Sequence, residues 1–328
     1  MLILLLALAT VEGGRAAVPP RALQAGPRTV EVPAQLGVLG VATLLADGGV
    51  IRSPLAFVLL AAVRGTARSL KAGEYEIPRG ASLLATLRLL EQGRVKPHLL
   101  VLPEGFTVRD LARQIEAEGL ARASDVVRVA SSPEFARGLG IEADGVEGYL
   151  FPDTYQATKG MRVEDILARM VHRFREKVAS PDVVARARGR GLSLHELVTL
   201  ASIIEKEAAL AEERRTIAGV FWNRLRRDMP LQADPTVAYA VGKDGRAPAR
   251  QDLQVDHPFN TYRHRGLPPG PIANPCRASV DAALAPANVP YLYFVSIDDR
   301  QHHFSATLEE HNQAVARYRE HRARLGTL

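Results

Sequence analysis

The stretch Leu197-Val198-Thr199-Leu200-Ala201-Ser202-Ile203-Ile204-Glu205-Lys206-Glu207 reads as an apolar helix that ends in two carboxylates. With 3.6 residues per turn, Glu207 follows Ile204, Ile203 and Leu200 by three, four and seven positions and so continues their oily stripe. Glu205 follows Ser202, Ala201 and Val198, a smaller and more polar strip. A carboxyl group set into an apolar wall is pushed toward its protonated form, which suits a general acid near neutral pH. The plainer reading makes Glu207 a helix-end carboxylate paired with an arginine such as Arg214. Ion pairs of that kind are the commoner arrangement. Both readings stand at this point.

Outward from this helix the chain is largely helical. Helices are expected over 163–178 and 194–208, and a third from about Glu212 carries Ile217, Val220, Phe221 and Leu225 at helical spacing. Upstream lies Gly145-Val146-Glu147-Gly148-Tyr149-Leu150-Phe151-Pro152-Asp153-Thr154-Tyr155. Beyond Met229 the chain turns loop-rich, with Gly242-Lys243-Asp244-Gly245 as a tight turn and Gly266-Leu267-Pro268-Pro269-Gly270-Pro271 as a rigid extended segment. Tyr291–Val295 and a partner around His303-Phe304-Ser305 read as a hairpin, and a charged amphipathic helix runs from Leu308 to Arg324. Residues 121–328 therefore form a mostly helical domain with a small β-sheet.

The preceding residues, 28–120, repeat a strand–turn–helix pattern. Thr29–Val32 and Pro33 precede a helix carrying Val38, Val41, Ala42 and Leu45. Tyr75–Ile77 leads through Pro78-Arg79-Gly80-Ala81-Ser82 to Leu83, Thr86, Leu87 and Leu90. Leu99–Leu102 leads through Pro103-Glu104-Gly105-Phe106-Thr107 to Val108, Leu111, Ala112 and Ile115. Ser82 and Thr107 are natural N-caps. Such βα units resemble LysM modules, which bind N-acetylglucosamine polymers; a βα repeat without ligand is the alternative. The expected class is α+β: N-terminal LysM-like βα repeats followed by the mostly helical domain. Residues 1–27 open with the continuous apolar run Met1–Ala9, too short to span a bilayer at about 20 residues, and continue as a Pro/Gly/Ala-rich linker. This segment reads as the outer half of a membrane anchor or signal.

Composition narrows the chemistry. The 328 residues suit about two domains, and a net charge of +6 favours an anionic partner such as nucleic acid, an acidic membrane surface or an acidic wall polymer. Aromatic residues make up 5% of the chain and do not interleave with Lys/Arg, which ranks nucleic acid low. With Cys276 as the single cysteine, an internal disulfide and multi-cysteine zinc sites are excluded. His195-Glu196-Leu197-Val198-Thr199 misses the zinc-protease helix because Thr199 stands at the second ligand position, and His302, His303 and His311 lack metal-ligand spacing. No metal or cofactor is expected. A Gly-x-Ser-x-Gly elbow, a P-loop and a dinucleotide fingerprint are all missing from the sequence.

Carboxylates, aromatics and amides remain, and these suit a sugar polymer. Tyr149, Phe151, Tyr155 and Tyr262 can stack on sugar faces, while Asn223, Gln232, Asn260 and Asn274 can bond hydroxyl and acetamido groups in both directions. Tyr149, Phe151 and Tyr155 read equally well as core.

Several ordered motifs now agree. Ala201-Ser202-Ile203-Ile204-Glu205-Lys206-Glu207 is followed by Glu213-Arg214 and Ile217-Ala218-Gly219-Val220-Phe221-Trp222-Asn223-Arg224-Leu225. Then come Leu231-Gln232-Ala233-Asp234-Pro235-Thr236-Val237, Asn260-Thr261-Tyr262, Gly266–Ile272 and Glu310-His311-Asn312, with Glu147–Tyr155 upstream. Together they resemble the YceG-like endolytic murein transglycosylases over roughly Arg28 to Tyr318. The resemblance implies a lyase that cleaves the MurNAc–GlcNAc β-1,4 bond inside peptidoglycan glycan strands and leaves 1,6-anhydro-MurNAc ends, ending the elongation of nascent strands. It implies a single-pass inner-membrane protein with its catalytic part in the periplasm, and association with peptidoglycan synthases. The family's catalytic glutamate falls on Glu207, and Glu147, Tyr149, Phe151, Tyr155, Asn223, Gln232, Asp234, Thr236 and Tyr262 are the expected substrate-binding residues. Three departures from the pattern are Cys276 in place of a glycine, Phe259 in place of a tyrosine, and a hairpin tip, Ile297–Gln301, without its usual glycines. Two rivals stay open: a muramidase in which Glu207 works with Glu147, Asp153 or Asp234, and a non-catalytic wall-binding scaffold.

Overall fold

The computed structural model describes residues 26–243, 245–297 and 301–324. The expected anchor in Met1–Ala9, Asp244 of the glycine turn and the centre of the Ile297–Gln301 tip lie outside the described residues. Among the described residues no helix is long and apolar enough to cross a membrane.

The chain forms two compact units and is α+β. The first runs to Leu99 and takes in Gln156–Met161; the second comprises Leu100–Tyr155 and the chain from Arg162 onward. In the first, β1 (Arg28–Val32) leads to α1 (Val38–Asp47), α2 (Pro54–Val63), β2 (Gly73–Ile77) and α3 (Leu83–Gln92). β1 and β2 pair antiparallel with Val30 opposite Tyr75 and Val32 opposite Gly73. Alternation along both strands turns Val30, Val32, Tyr75 and Ile77 onto Val41, Leu45, Phe57, Leu60, Leu87 and Leu90 of the helices, which together make the core. The returning segment is tied in by Lys159, whose ammonium lies 3.0 Å from Glu31 and 3.7 Å from the buried Glu74. Glu74 also meets His98 at 2.6 Å.

Two features differ from the expected repeat. The first strand is followed by two helices, so the order is β-α-α-β-α. The third strand–turn–helix, expected within 28–120, contributes its helix α4 (Val108–Ala117) to the second unit. Its strand β3 (His98–Val101) pairs with β4 (Thr154–Ala157).

The second unit continues with α5 (Ala123–Ala130), α6 (Pro133–Gly138), α7 (Val163–Lys177), α8 (Pro181–Gly189) and α9 (Leu194–Glu207). After a 3₁₀ turn at Ala211–Glu213 come α10 (Arg214–Arg226), α11 (Asp234–Ala240), α12 (Arg277–Leu284), the antiparallel hairpin β5 (Tyr293–Ser296) and β6 (His302–Ser305), and α13 (Leu308–Arg324). α9 is the axis of this unit. It starts in a capping box, where Ser193 Oγ accepts from the Glu196 N–H at 3.1 Å and the Glu196 carboxylate accepts from the Ser193 N–H at 2.8 Å. From Leu197 to Ile204 every residue is buried, and α8, α10, α11 and α12 pack around it. Ala208 turns extended and ends the helix at Glu207. The Glu147–Tyr149 loop rests on α9 through Gly148: its φ is +84°, and a Cβ there would stand 2.4 Å from Pro271 and 3.0 Å from Val198.

Candidate active site

The two carboxylates that close α9 have different surroundings. The Glu205 side chain is 5% exposed and lies 3.7 Å from the Arg214 guanidinium, which also reaches Glu104 at 3.6 Å. Its other oxygen accepts the Cys276 N–H at 3.0 Å. The arginine pair expected for a helix-end glutamate thus forms on Glu205. Burial and the neighbouring Glu205 push the Cys276 thiol up to about 11, so it is a protonated packing group and not a nucleophile. Glu104, Glu205 and Cys276 bring possible ligand atoms within 4.8 Å of one another. Arg214 already pairs with both carboxylates, and the thiol keeps its proton.

Glu207 sits beside Asp234, the first residue of α11, and Arg224, from the last turn of α10. Loss of water around its carboxyl pushes its pKa up to about 8; the Asp234 charge adds to the rise and Arg224 opposes it. Near neutral pH it therefore holds a proton it can give away.

Arg224 is 7% exposed and held on several sides. Its Nε donates to Leu292 O at 2.6 Å and its Nη1 to Leu231 O at 2.8 Å, with Gln232 Oε1 at 3.5 Å. Its guanidinium lies over the Tyr293 ring, 5.2 Å from the centroid. Burial lowers its pKa, yet a guanidinium stays charged in proteins. The sequence reading passed over this residue. The signal was present: Arg224 follows Ile217, Val220 and Phe221 by seven, four and three positions, an arginine continuing an apolar stripe.

Asp234 and Tyr262 are joined directly, the phenol donating to the carboxylate at 2.6 Å. Burial and that bond raise the Tyr262 pKa well above its ordinary value, so it stays a donor. The loop that presents Tyr262 is built by side chains. Asn260 donates to Leu253 O and Val255 O and accepts from the Tyr262 N–H at 3.0 Å. Thr236 and Thr261 share a hydroxyl–hydroxyl bond of 2.9 Å, and Thr261 Oγ1 accepts from the Ala233 N–H at 3.0 Å. Gln232 enters the same turn with φ +47°, a left-handed conformation that its N–H bond to Thr261 O holds in place. Thr236 is fully buried and acts within the scaffold of this turn.

Electrostatics and hydrogen bonds thus bring Glu207, Asp234, Tyr262, Gln232 and Arg224 together. The other expected residues lie elsewhere. Asn223 donates both amide protons to backbone, Val289 O and Tyr291 O at 2.8 Å each, and anchors the segment leading to β5. Glu147 accepts from the Val108 N–H at 3.0 Å and from Asn274 at 3.1 Å. Tyr149 is buried edge-on against Phe174 at 5.2 Å, with its hydroxyl 2.9 Å from His195 Nδ1. The Tyr155 hydroxyl donates to Phe151 O, and both rings are half-buried. A cavity of about 790 Å³ is lined by Glu147, His195, Arg109, Tyr239 and Phe259 among others, and Glu207 is not among its walls. His195 opens α9 and Glu207 closes it, so about 18 Å of helix separates them.

Residues 30–317 match the YceG-like family. The chain belongs to that family. A Bacillus subtilis (strain 168) protein named endolytic murein transglycosylase is 34% identical over 305 residues, covering 88% of this chain and 84% of the relative. A protein of the same name from Streptococcus pneumoniae serotype 2 (strain D39 / NCTC 7466) is 31% identical over 322 residues; the match covers 88% of this chain and 58% of that protein's length. In three dimensions the chain is similar to a crystal structure of a YceG-like protein from Listeria monocytogenes. That pair has a TM-score of 0.62 and 35% identity, covering 87% of this chain and 97% of the other.

Proposed function

We propose that this YceG-like protein is an endolytic murein transglycosylase, a lyase that cleaves the MurNAc–GlcNAc β-1,4 bond within glycan strands and leaves 1,6-anhydro-MurNAc ends. The observation that carries the reading is the placement of Glu207 at the end of α9, beside Asp234 and Arg224, where burial pushes its carboxyl up to about 8 and favours the protonated form at neutral pH. Its relatives' names supply the reaction class.

The chemistry needs one group in two roles. Protonated Glu207 gives its proton to the leaving GlcNAc oxygen as the C1–O bond breaks and positive charge develops on the MurNAc ring. The Glu207 carboxylate then takes the proton from the MurNAc C6 hydroxyl, whose oxygen closes on C1. Because the nucleophile is tethered to the reacting sugar, neither an activated water nor a second attacking carboxylate is needed. Arg224 steadies Glu207 once it is ionised, and Asp234, held by Tyr262, faces the developing positive charge.

The nearness of Asp234 to Glu207 also supports the muramidase alternative, in which Asp234 serves a water. Product masses separate the two: purified protein acting on sacculi yields anhydro-muropeptides under the lyase reading and reducing ends, heavier by one water, under hydrolysis.

A LysM-like, glycan-holding role for the first unit belongs to this proposal on the strand–turn–helix pattern of its sequence. Anchoring through Met1–Ala9, a catalytic unit facing the periplasm and association with peptidoglycan synthases belong to the same proposal and rest on the sequence alone.

A further inference from the structure

The first unit carries an apolar surface that its own core does not use. α2 has the sequence Pro54-Leu55-Ala56-Phe57-Val58-Leu59-Leu60-Ala61-Ala62-Val63, ten residues without a charge or a hydrogen-bonding side chain. One face, Phe57, Leu60 and Ala61, is buried. The opposite face presents Leu55, Leu59 and Val63 at four-residue spacing, exposed by 67%, 41% and 60%. Leu36, just before α1, and Leu39, in its first turn, are further exposed aliphatics of this unit at 39% and 65%. A soluble helix normally turns charged or polar residues outward. Contiguous exposed aliphatics of this kind mark a docking surface.

Charge identifies what docks. Within Gly26–Leu99 and Gln156–Met161 there are ten Lys/Arg against five Asp/Glu, an excess of five out of the whole chain's +6. The residues assigned to the second unit carry thirty of each and are neutral, leaving +1 for residues 1–25. Around α2 the exposed cations are Arg52 before it and Arg64 and Arg68 after it. The nearby carboxylates are Asp47, which ends α1, and Glu91, which Arg64 neutralises at 2.9 Å. Aliphatic side chains that face outward between arginines match a bilayer with anionic headgroups: the leucines reach the acyl boundary and the guanidiniums meet the phosphates. A sugar polymer offers no hydrophobic interior for leucine and valine. At about 15 Å, α2 cannot cross a bilayer and fits one lying along its surface.

We propose that the outward face of α2 in the first unit is a peripheral membrane-binding surface selective for anionic phospholipid, with Leu55, Leu59 and Val63 inserting and Arg52 and Arg68 contacting headgroups. This is a contact by a folded unit, separate from any anchor in Met1–Ala9.

The test uses the full chain with the buried thiol removed (Cys276→Ala) and an environment-sensitive fluorophore attached at Leu59→Cys, or at Arg137→Cys on α6 as a control. Vesicles are phosphatidylcholine, with or without phosphatidylglycerol. On phosphatidylglycerol vesicles the position-59 probe is expected to shift to the blue and become accessible to an acyl-chain quencher, while the position-137 probe is unchanged. Added salt should weaken the effect. The triple variant Leu55→Gln/Leu59→Gln/Val63→Gln, changed only at exposed positions, should melt as the parent does and partition about tenfold less onto these vesicles. A position-59 probe that stays in water while the protein sediments with vesicles would overturn the proposal, since only the N-terminal run would then be bound. So would a probe already blue-shifted without lipid, which means that another segment or a second copy covers α2. Loss of sacculus binding in the triple variant with lipid partitioning intact would reassign the face to glycan.

Discussion

Glu205 and Glu207 stand two residues apart on one helix, both partly exposed, yet only one is equipped for acid chemistry. The difference lies in their partners. Around Glu205 are a guanidinium and a backbone N–H that stabilise its charge. Around Glu207, desolvation of the carboxyl and the charge of Asp234 oppose ionisation more strongly than Arg224 supports it. Burial alone did not separate them. The strip of Val198, Ala201 and Ser202 that leads to Glu205 is as deeply buried as the oily strip leading to Glu207. A carboxyl becomes a usable acid when the fold withholds a dedicated counter-ion from it.

The hardest attempt to break this comparison is Glu207→Gln, expected to lower muropeptide release from sacculi by about 10²–10⁴-fold. Release at near parental rate would remove Glu207 from the chemistry. The same variant carries a stability signature. The folded-state pKa of Glu207 lies above its ordinary 4.5, so the folded protein holds a proton that the unfolded chain gives up between pH 4.5 and about 8. Parental stability therefore falls as pH rises through that window, whereas the glutamine variant lacks this component. Denaturation midpoints across that range should show the variant gaining on the parent as pH rises.

Glu205→Ala should behave in the opposite way. It leaves the Cys276 N–H without its partner and Arg214 with Glu104 alone, and is expected to destabilise by about 1–3 kcal/mol in urea. Turnover by the folded protein should fall far less than with Glu207→Gln. Asp234→Asn removes the charge that helps raise Glu207, so the high-pH fall of kcat/KM should move to lower pH. An unmoved limb would mean that Asp234 does not act on Glu207 through its charge. The smallest effect belongs to Cys276→Ala, with a stability change of about 1 kcal/mol and unchanged turnover, since the thiol only packs.

Much of this was legible in the sequence because local rules and tertiary packing agreed. The helices expected at 163–178 and 194–208 form over Val163–Lys177 and Leu194–Glu207, and Ser82 and Thr107 cap theirs as read. The hairpin of β5 and β6 also forms. α2 went unread because apolar residues at nearly every position hide the 3.6-residue period, although Ser53-Pro54 is a sound start signal and Ser53 does cap it. In the site, a single helix face pointed to Glu207, and its acidity comes from groups far along the chain that no local pattern shows. Tyr149 and Asn223 look like sugar ligands in a list of residue types. Their polar atoms face His195 and two backbone carbonyls, which only the fold reveals.

Arg224 has one more consequence. Its charge is fixed in place by backbone carbonyls and cannot titrate in the working range. With Glu207 protonated, Arg224 and Asp234 cancel and the trio is neutral. When the proton leaves with the departing sugar, the trio becomes an anion just as the remaining ring becomes a cation. Trio and ring together stay neutral from bound strand to closed anhydro ring, so the protein has little reorganising to do at the moment of bond cleavage.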